Sequence, residues 1–357
     1  MSCHPLQWEI LMNNAHYLNE KDIKMVTDDV LNVISLAVLT SITIGMLGIY
    51  FFCPRFIIET WMKFFVWWSG MSRKFAHIDG ITLCYGEKGR QCDSKPTIIF
   101  LHGFSADHYM WAPIALRMPA SYHMIALDQP GHGGSDDPLE SEAIGYHSQV
   151  KKLYQFLQHK NLDIKNKLHI VGLSMGGTIG GLFAAEYPHL VHKLTICCPS
   201  MQTPSASQFA ENLRLAVDEK GPDVGILECG LLPQNPSELQ NMLKLSHYYY
   251  TSLPQQILQG AADMRKQRNV FFLKLFRKIA ETPSTLVDNI HRIDTPVQLI
   301  WGREDSIIDI SGLDVLKDKL VNCKSVDVIP CCGHAIPLDQ PKIFTELILG
   351  FHKFHLD

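Results

Sequence analysis

The sequence has no Cys-x-x-Cys pair, no usable Asn-x-Ser/Thr acceptor and no excess of basic residues. Its 10 cysteines fall without metal-ligand spacing, and Cys197-Cys198 and Cys331-Cys332 are adjacent pairs that rarely bridge each other. A zinc-ribbon or disulfide scaffold is therefore excluded as the organising principle, and no metal ligand set is expected. The one Asn-x-Ser match, Asn235-Pro236-Ser237, is blocked by its proline. With 32 basic against 36 acidic side chains and a net charge of -4, no basic face is available for nucleic acid. Internal repeats and low-complexity tracts are absent, and residues Met1 to Asp29 contain no apolar core of a cleavable signal peptide. These absences agree with reduced thiols on the cytosolic side.

At 357 residues and 46% hydrophobic content, the chain is large enough to bury one sizeable core with extras. After a polar tail over residues 1–29, the run from Val30 to Cys53 carries no charge. Its length of about 24 residues suffices to cross a bilayer; a buried core helix is the competing reading. Lys21 and Lys24 precede the run, whereas Arg55, Lys63, Arg73 and Lys74 follow it, which puts the C-terminal side in the cytosol. Residues 54–74 interleave Trp61, Phe64, Phe65, Trp67 and Trp68 with Lys63, a mixture suited to the headgroup boundary, with a buried helix of the globular domain as the competing reading.

From Phe75 the pattern changes to short apolar runs alternating with helical spacing. Phe75–Asp79 and Ile81–Tyr85 read as a hairpin through Asp79-Gly80. Thr97–Leu101, Met124–Leu127, Leu168–Leu173 and Leu194–Cys198 read as buried strands, with a helix over Ser148–His159. From about Ser200 to Arg292 only helical patterns occur, punctuated by prolines, as in a helical lid over residues 200–292. Alternation resumes with strands over Val297–Trp301 and Ser325–Ile329 and helices over Leu313–Leu320 and Lys342–Phe354. The sequence thus predicts an α/β core over residues 75–199 and 293–357, built on a mostly parallel sheet with helices on both faces.

Within this core, Leu168-His-Ile-Val-Gly-Leu-Ser174-Met-Gly-Gly177 is a strand, a G-x-S-x-G turn and a helix start. Such a turn holds one serine at its apex, with amide donors from the helix N-terminus behind it. A Gly-rich turn with an ordinary capping serine would look the same in isolation. His334 follows the last strand in Cys331-Cys-Gly-His334, where an imidazole can exchange protons with Ser174. Asp305, in Trp301-Gly-Arg-Glu-Asp305, lies after a strand and before that histidine, in the chain order Ser, Asp, His; Glu304 and Asp309 are its rivals. An acid after the preceding strand is disfavoured, since no carboxylate stands between Pro199 and Glu211. The backbone amides of Phe104, after His102-Gly103, and of Met175 are the candidate oxyanion donors. Asp128 to Ser135 reads as a structural turn, and His132 is assigned no catalytic role.

These motifs, together with Phe100-Leu-His-Gly-Phe-Ser-Ala106, Pro254-Gln-Gln-Ile-Leu-Gln-Gly260 and Ile300-Trp-Gly302, resemble the α/β-hydrolase superfamily, and within it the membrane-anchored monoacylglycerol lipases. The tail before the span is longer than in that family. The resemblance implies a cofactor-free serine hydrolase, a single-pass anchor and lipid ester substrates: monoacylglycerols, 2-arachidonoylglycerol-like esters among them, and lysophospholipids. It also implies a cytosolic catalytic domain at the endosome, lysosome or another internal membrane, or at the plasma membrane. Leu243, Tyr248, Tyr249, Leu253 and Ile257 would then line an acyl tunnel, against the reading that they are ordinary lid core. Serine rather than aspartate at the elbow points to acyl transfer. Two alternatives remain at this point: a carbon–carbon bond hydrolase of the same fold, and a non-catalytic protein that binds lipids or membrane receptors.

Overall fold

The computed structural model describes residues 20–92, 95–162 and 168–353. The first part of the expected tail, and Phe354 at the end of the last helix, lie outside the described residues. The chain divides into two units between Ile57 and Ile58.

In the first unit, helix α1 (Glu20–Phe52) carries its apolar side chains outward along the whole stretch from Lys24 to Phe52, with none buried. By length and composition it is able to cross a membrane. Ser41 and Thr43 turn their hydroxyls back onto the carbonyls of Ala37 and Leu39, so neither would present an unpaired donor to lipid. The helix starts ten residues before the expected span: Glu20 to Asp29 contains no proline or glycine to stop the backbone ladder, so the helix outruns the apolar stretch. At the other end Pro54, which has no amide to donate, begins helix α2 (Pro54–Trp68). The part of α2 in the second unit buries Val66 and exposes Trp61, Phe64, Trp67 and Trp68. Trp61 stacks on Phe65 at 5.5 Å, and Lys63 pairs with Glu59 at 3.8 Å.

The second unit continues with β1 (Ser72–Ile78) and β2 (Ile81–Lys88), three residues ahead of the expected start of the core. The hairpin is as expected: Ile78 pairs with Ile81, and Asp79 and Gly80 take positive φ values of 46° and 81°, a two-residue turn that glycine makes cheap. There follow β3 (Ile98–Leu101), α3 (Ala112–Arg117), β4 (Met124–Leu127), α4 (Tyr146–His159), β5 (Leu168–Leu173), α5 (Met175–Glu186) and β6 (Val191–Cys197). After β6 come five helices: α6 (Gln208–Leu227), α7 (Pro236–Ser246), α8 (Gln255–Lys266), α9 (Asn269–Ala280) and α10 (Thr285–Asn289). The chain closes with β7 (Val297–Gly302), α11 (Ser311–Lys319), β8 (Cys323–Ile329), α12 (Ile336–Asp339) and α13 (Pro341–Lys353).

The eight strands form one sheet in the order β1-β2-β4-β3-β5-β6-β7-β8. Only β1–β2 and β2–β4 are antiparallel; β4 to β8 run parallel, so their carboxyl ends share one edge. Strands β3, β4, β5 and β7 are buried at every residue, as continuous apolar runs under helices on both faces require. The helices between β6 and β7 carry no strand, as their pattern predicts. A kink divides α6 at Gly221 (φ 80°) and Pro222. Leu239 and Met242 of α7 pack on Leu258 and Ala262 of α8 as a small core of their own, whereas Phe271, Phe272 and Phe276 of α9 join the main one.

Candidate active site

The turn between β5 and α5 has the geometry that its glycines allow. Ser174 stands at φ 54°, ψ -121°, a conformation costing about 1–3 kcal/mol that persists because its surroundings over-determine it. Its N–H donates to Cys197 O at 2.9 Å, and its carbonyl accepts the N–H groups of Gly177 (2.9 Å) and Ser200 (3.1 Å). A β-carbon on Gly172 would lie 2.2 Å from Gly176 O, and one on Gly176 would lie 2.2 Å from Leu101 O. Only glycine fits at either place.

The loop after β3 faces this turn. A β-carbon on Gly103 would come within 3.2 Å of the Ser174 Cβ and 3.8 Å of its Oγ, so backbone alone separates the two loops. Among the described residues, neither the Phe104 nor the Met175 amide is taken by a turn or loop hydrogen bond. His102 ties this loop to the one after β4: its Nε2 accepts the Gln129 N–H at 3.0 Å, and Gln129 Nε2 donates to His102 O at 2.8 Å. With Nε2 accepting, Nδ1–H donates to Gly103 O at 2.8 Å. On the outer side, the Phe104 ring meets Phe272 and Phe276 at 5.5 Å each, and Arg265 of α8 donates to Ser105 O (3.1 Å) and Oγ (2.5 Å).

At the ends of β7 and β8 the structure brings Asp305 and His334 together, with His334 Nδ1 2.8 Å from Asp305 Oδ2. Both residues are buried. The other carboxylate oxygen of Asp305 accepts the N–H groups of Ile307 (2.8 Å) and Ile308 (3.0 Å), which fixes the acid from behind. Glu304 and Asp309 are used elsewhere: Glu304 accepts Cys332 N at 3.0 Å and Asp309 caps Ser311 N at 2.9 Å. Cys198, one residue past β6, lies with its thiol within 4.8 Å of the nearest ligand atoms of Asp305 and His334. Burial, and then the Asp305 charge, push that thiol well above its ordinary range.

The second convergence of metal-type ligands, Cys84, His108 and Asp128, is also buried. There the Arg73 guanidinium donates to Cys84 Sγ at 3.2 Å, and Asp128 is filled by the His108 N–H, His108 Nδ1 and Gly134 N–H at 2.6, 2.9 and 2.9 Å. Burial would raise Asp128, but hydrogen bonds and charge from His108 hold it below its ordinary value. A cationic side chain against the thiol and a saturated carboxylate fit a structural keystone. The turn from Asp128 to Ser135 is thus structural as expected, and His132 is buried against Phe272 at 4.9 Å.

The side chains assigned by sequence to an acyl tunnel are dispersed. Tyr248, Tyr249 and Leu253 are exposed, Ile257 is half-buried, and Leu243 packs on the small core between α7 and α8. From the same helices, sequence reading passed over Arg265, Ser246 and His247, whose contacts lie far along the chain and leave no local pattern.

A family model for the alpha/beta hydrolase fold matches residues 96–341. The chain belongs to the α/β-hydrolase family. Within that family it is 36% identical to human monoacylglycerol lipase ABHD6 over 286 residues, which cover 79% of this chain and 82% of the human one. It is 33% identical to monoacylglycerol lipase abhd6-A of Xenopus laevis over 298 residues, 81% and 86% of the two chains. Among solved structures, a bacterial membrane phospholipase A superposes with a TM-score of 0.76 at 23% identity, covering 90% of this chain and 99% of its own. A putative lipase from Acinetobacter baumannii AYE gives 0.72 at 22% identity, with 82% and 94% covered. This hydrolase therefore shares its fold with the bacterial proteins and its closer sequence kinship with the ABHD6 lipases.

Proposed function

We propose that this hydrolase is a membrane-anchored serine esterase that cleaves monoacylglycerols to fatty acid and glycerol, and accepts lysophospholipids, with its catalytic domain in the cytosol. The observation that carries this reading is the buried His334 Nδ1···Asp305 Oδ2 pair at 2.8 Å, on the sheet edge where Ser174 is held at positive φ. With Nδ1–H donated to Asp305, the ring keeps Nε2 free to accept the Ser174 hydroxyl proton. Ser174 Oγ then bonds to the ester carbonyl carbon, and the new oxyanion is held by the amides of Phe104 and Met175. Collapse breaks the bond to glycerol, which leaves with the proton from His334. Water, deprotonated by the same imidazole, attacks the acyl-enzyme, and the fatty acid departs as Oγ recovers its proton. No step draws on a metal or an organic cofactor.

Residues 200–292 serve in this reading as a lid, and the exposed aromatics Trp61, Phe64, Trp67 and Trp68 rest at the headgroup boundary of an internal or plasma membrane. An anchored enzyme of this kind takes an amphiphile from the bilayer it sits on. Labelling by a fluorophosphonate probe tests the nucleophile: wild type should label and Ser174→Ala should not. Equal labelling of both would remove Ser174 from its role, and no labelling of either would favour a binding protein.

A further inference from the structure

We propose that Asp339 is a positioning residue that ties one end of the helical insertion to the loop carrying His334, so that the histidine is in register only while that end is docked. The inference rests on the reading of Ser174, Asp305 and His334 given above.

Asp339 ends α12 with its side chain only 2% exposed, and its two oxygens collect three donors. Oδ2 accepts the N–H of Gly333 at 2.8 Å, one residue before His334, and the N–H of Tyr248 at 2.8 Å, just past α7. Oδ1 accepts His247 Nδ1 at 2.7 Å. On the other side of His334, the Ala335 N–H donates to Ser246 O at 2.9 Å. Both neighbours of the histidine are thus bound, directly or through one carboxylate, to the single stretch Ser246–Tyr248. The contact is close: a β-carbon on Gly333 would meet Ser246 O at 2.8 Å and Tyr248 N at 2.9 Å. Burial would raise the Asp339 carboxyl, but its bonds from His247, Tyr248 and Gly333 hold it below the ordinary range, so it remains the ionised acceptor that three donors need.

Asp305 fixes the imidazole ring and Asp339 fixes the backbone on which that ring is mounted. Undocking Ser246–Tyr248 would release the Ala335 amide and strip Asp339, which holds the Gly333 amide, of two of its three donors; a displacement of about 1 Å in such a group costs about 100-fold in rate. An insertion that opens at this end therefore opens with its catalytic base out of line.

The test uses the full-length protein in membranes, with Asp339→Asn, His247→Ala and the double variant. Asp339→Asn keeps the shape but turns an amino group toward a donor. Its kcat for a monoacylglycerol and the rate of fluorophosphonate labelling should both fall about tenfold or more, with KM within about twofold. His247→Ala removes one of the three bonds and should cost about threefold in kcat. Because both act through one carboxylate, the double variant should be no worse than Asp339→Asn alone. Wild-type kcat and labelling in either single variant, or losses that multiply in the double, overturn the proposal. If Asp339→Asn fails to accumulate, His247→Ala decides, since its ring is 17% exposed and less deeply buried than the carboxylate it serves. His334→Ala is run beside them: normal labelling there would bring down the catalytic reading itself, whereas lost labelling with an unaffected Asp339→Asn would bring down the tie alone.

Discussion

Single residues here divide by how far their partners lie along the chain. Ser174 was legible because the glycines on either side are demanded by local geometry, and Asp305 and His334 because each follows its own strand. A methyl group at Gly176 would meet backbone, the Leu101 carbonyl at 2.2 Å, which cannot swing away. Gly176→Ala should therefore cost more than about 3 kcal/mol, visible as a large fall in the thermal midpoint or as failure to accumulate. Arg265 and Asp339 were not legible. Arg265 reaches Ser105 across 160 positions and Asp339 reaches Tyr248 across 91, and nothing in the neighbouring sequence marks either bond. Burial pushes the Arg265 guanidinium down to about 10, yet it stays charged at neutral pH and anchors the loop that bears Phe104. Arg265→Ala should slow Ser174 labelling about tenfold with little change in KM, if that loop supplies an oxyanion donor; an unchanged rate would take the loop out of the mechanism.

At the level of elements, strand identity was readable wherever a run is buried on both faces, and the Asp79-Gly80 turn wherever φ must be positive. Helix ends were less so. The apolar run marks where lipid could begin, at Val30, but the backbone ladder ignores polarity and starts at Glu20. The kink at Gly221-Pro222 falls at one of the prolines that punctuate the helical stretch, where the missing amide interrupts the ladder. Placing lysines at Leu36 and Leu39 should disfavour insertion of α1 by about 6 kcal/mol in total and move the protein from carbonate-resistant membranes into the supernatant. Retention in the membrane would show that α1 is not the anchor. Glu87 of β2 collects His123, Lys74 and Lys160 at 3.0, 2.5 and 3.4 Å, and so joins the hairpin to the approach of β4 and the end of α4. The bond from His123 first, then Lys74 and Lys160, lowers its carboxyl from 4.5 to about 2 against the opposing effect of burial. A folded-state value below the unfolded one stabilises fully above pH 4.5 and is lost as pH falls toward 2. Glu87→Gln should therefore lower the denaturant midpoint of solubilised protein at pH 7, and the gap from wild type should close on acidification.

The whole molecule explains why Ser174, Asp305 and His334 stand on one sheet edge. Six parallel strands place all their carboxyl ends on one edge, and the loops after β5, β7 and β8 each deliver one group there. That convergence follows from the alternation of strands and helices along the chain, which sets neighbouring strands parallel. What alternation could not announce is how the five helices after β6 lie on that edge, because their contacts are made by scattered side chains rather than by a period. Tyr248, Tyr249 and Leu253, which the resemblance offered for an acyl tunnel, are exposed in this structure, while Phe271, Phe272 and Phe276 face the core. The central claim, an anchored serine esterase for monoacylglycerols, is tested most directly by fatty acid release from a 2-monoacylglycerol. Membranes carrying wild type and Ser174→Ala should be assayed side by side. Release by the wild type alone is the predicted result; equal release by both, or none from a wild type whose Ser174 still reacts with a fluorophosphonate, would contradict it.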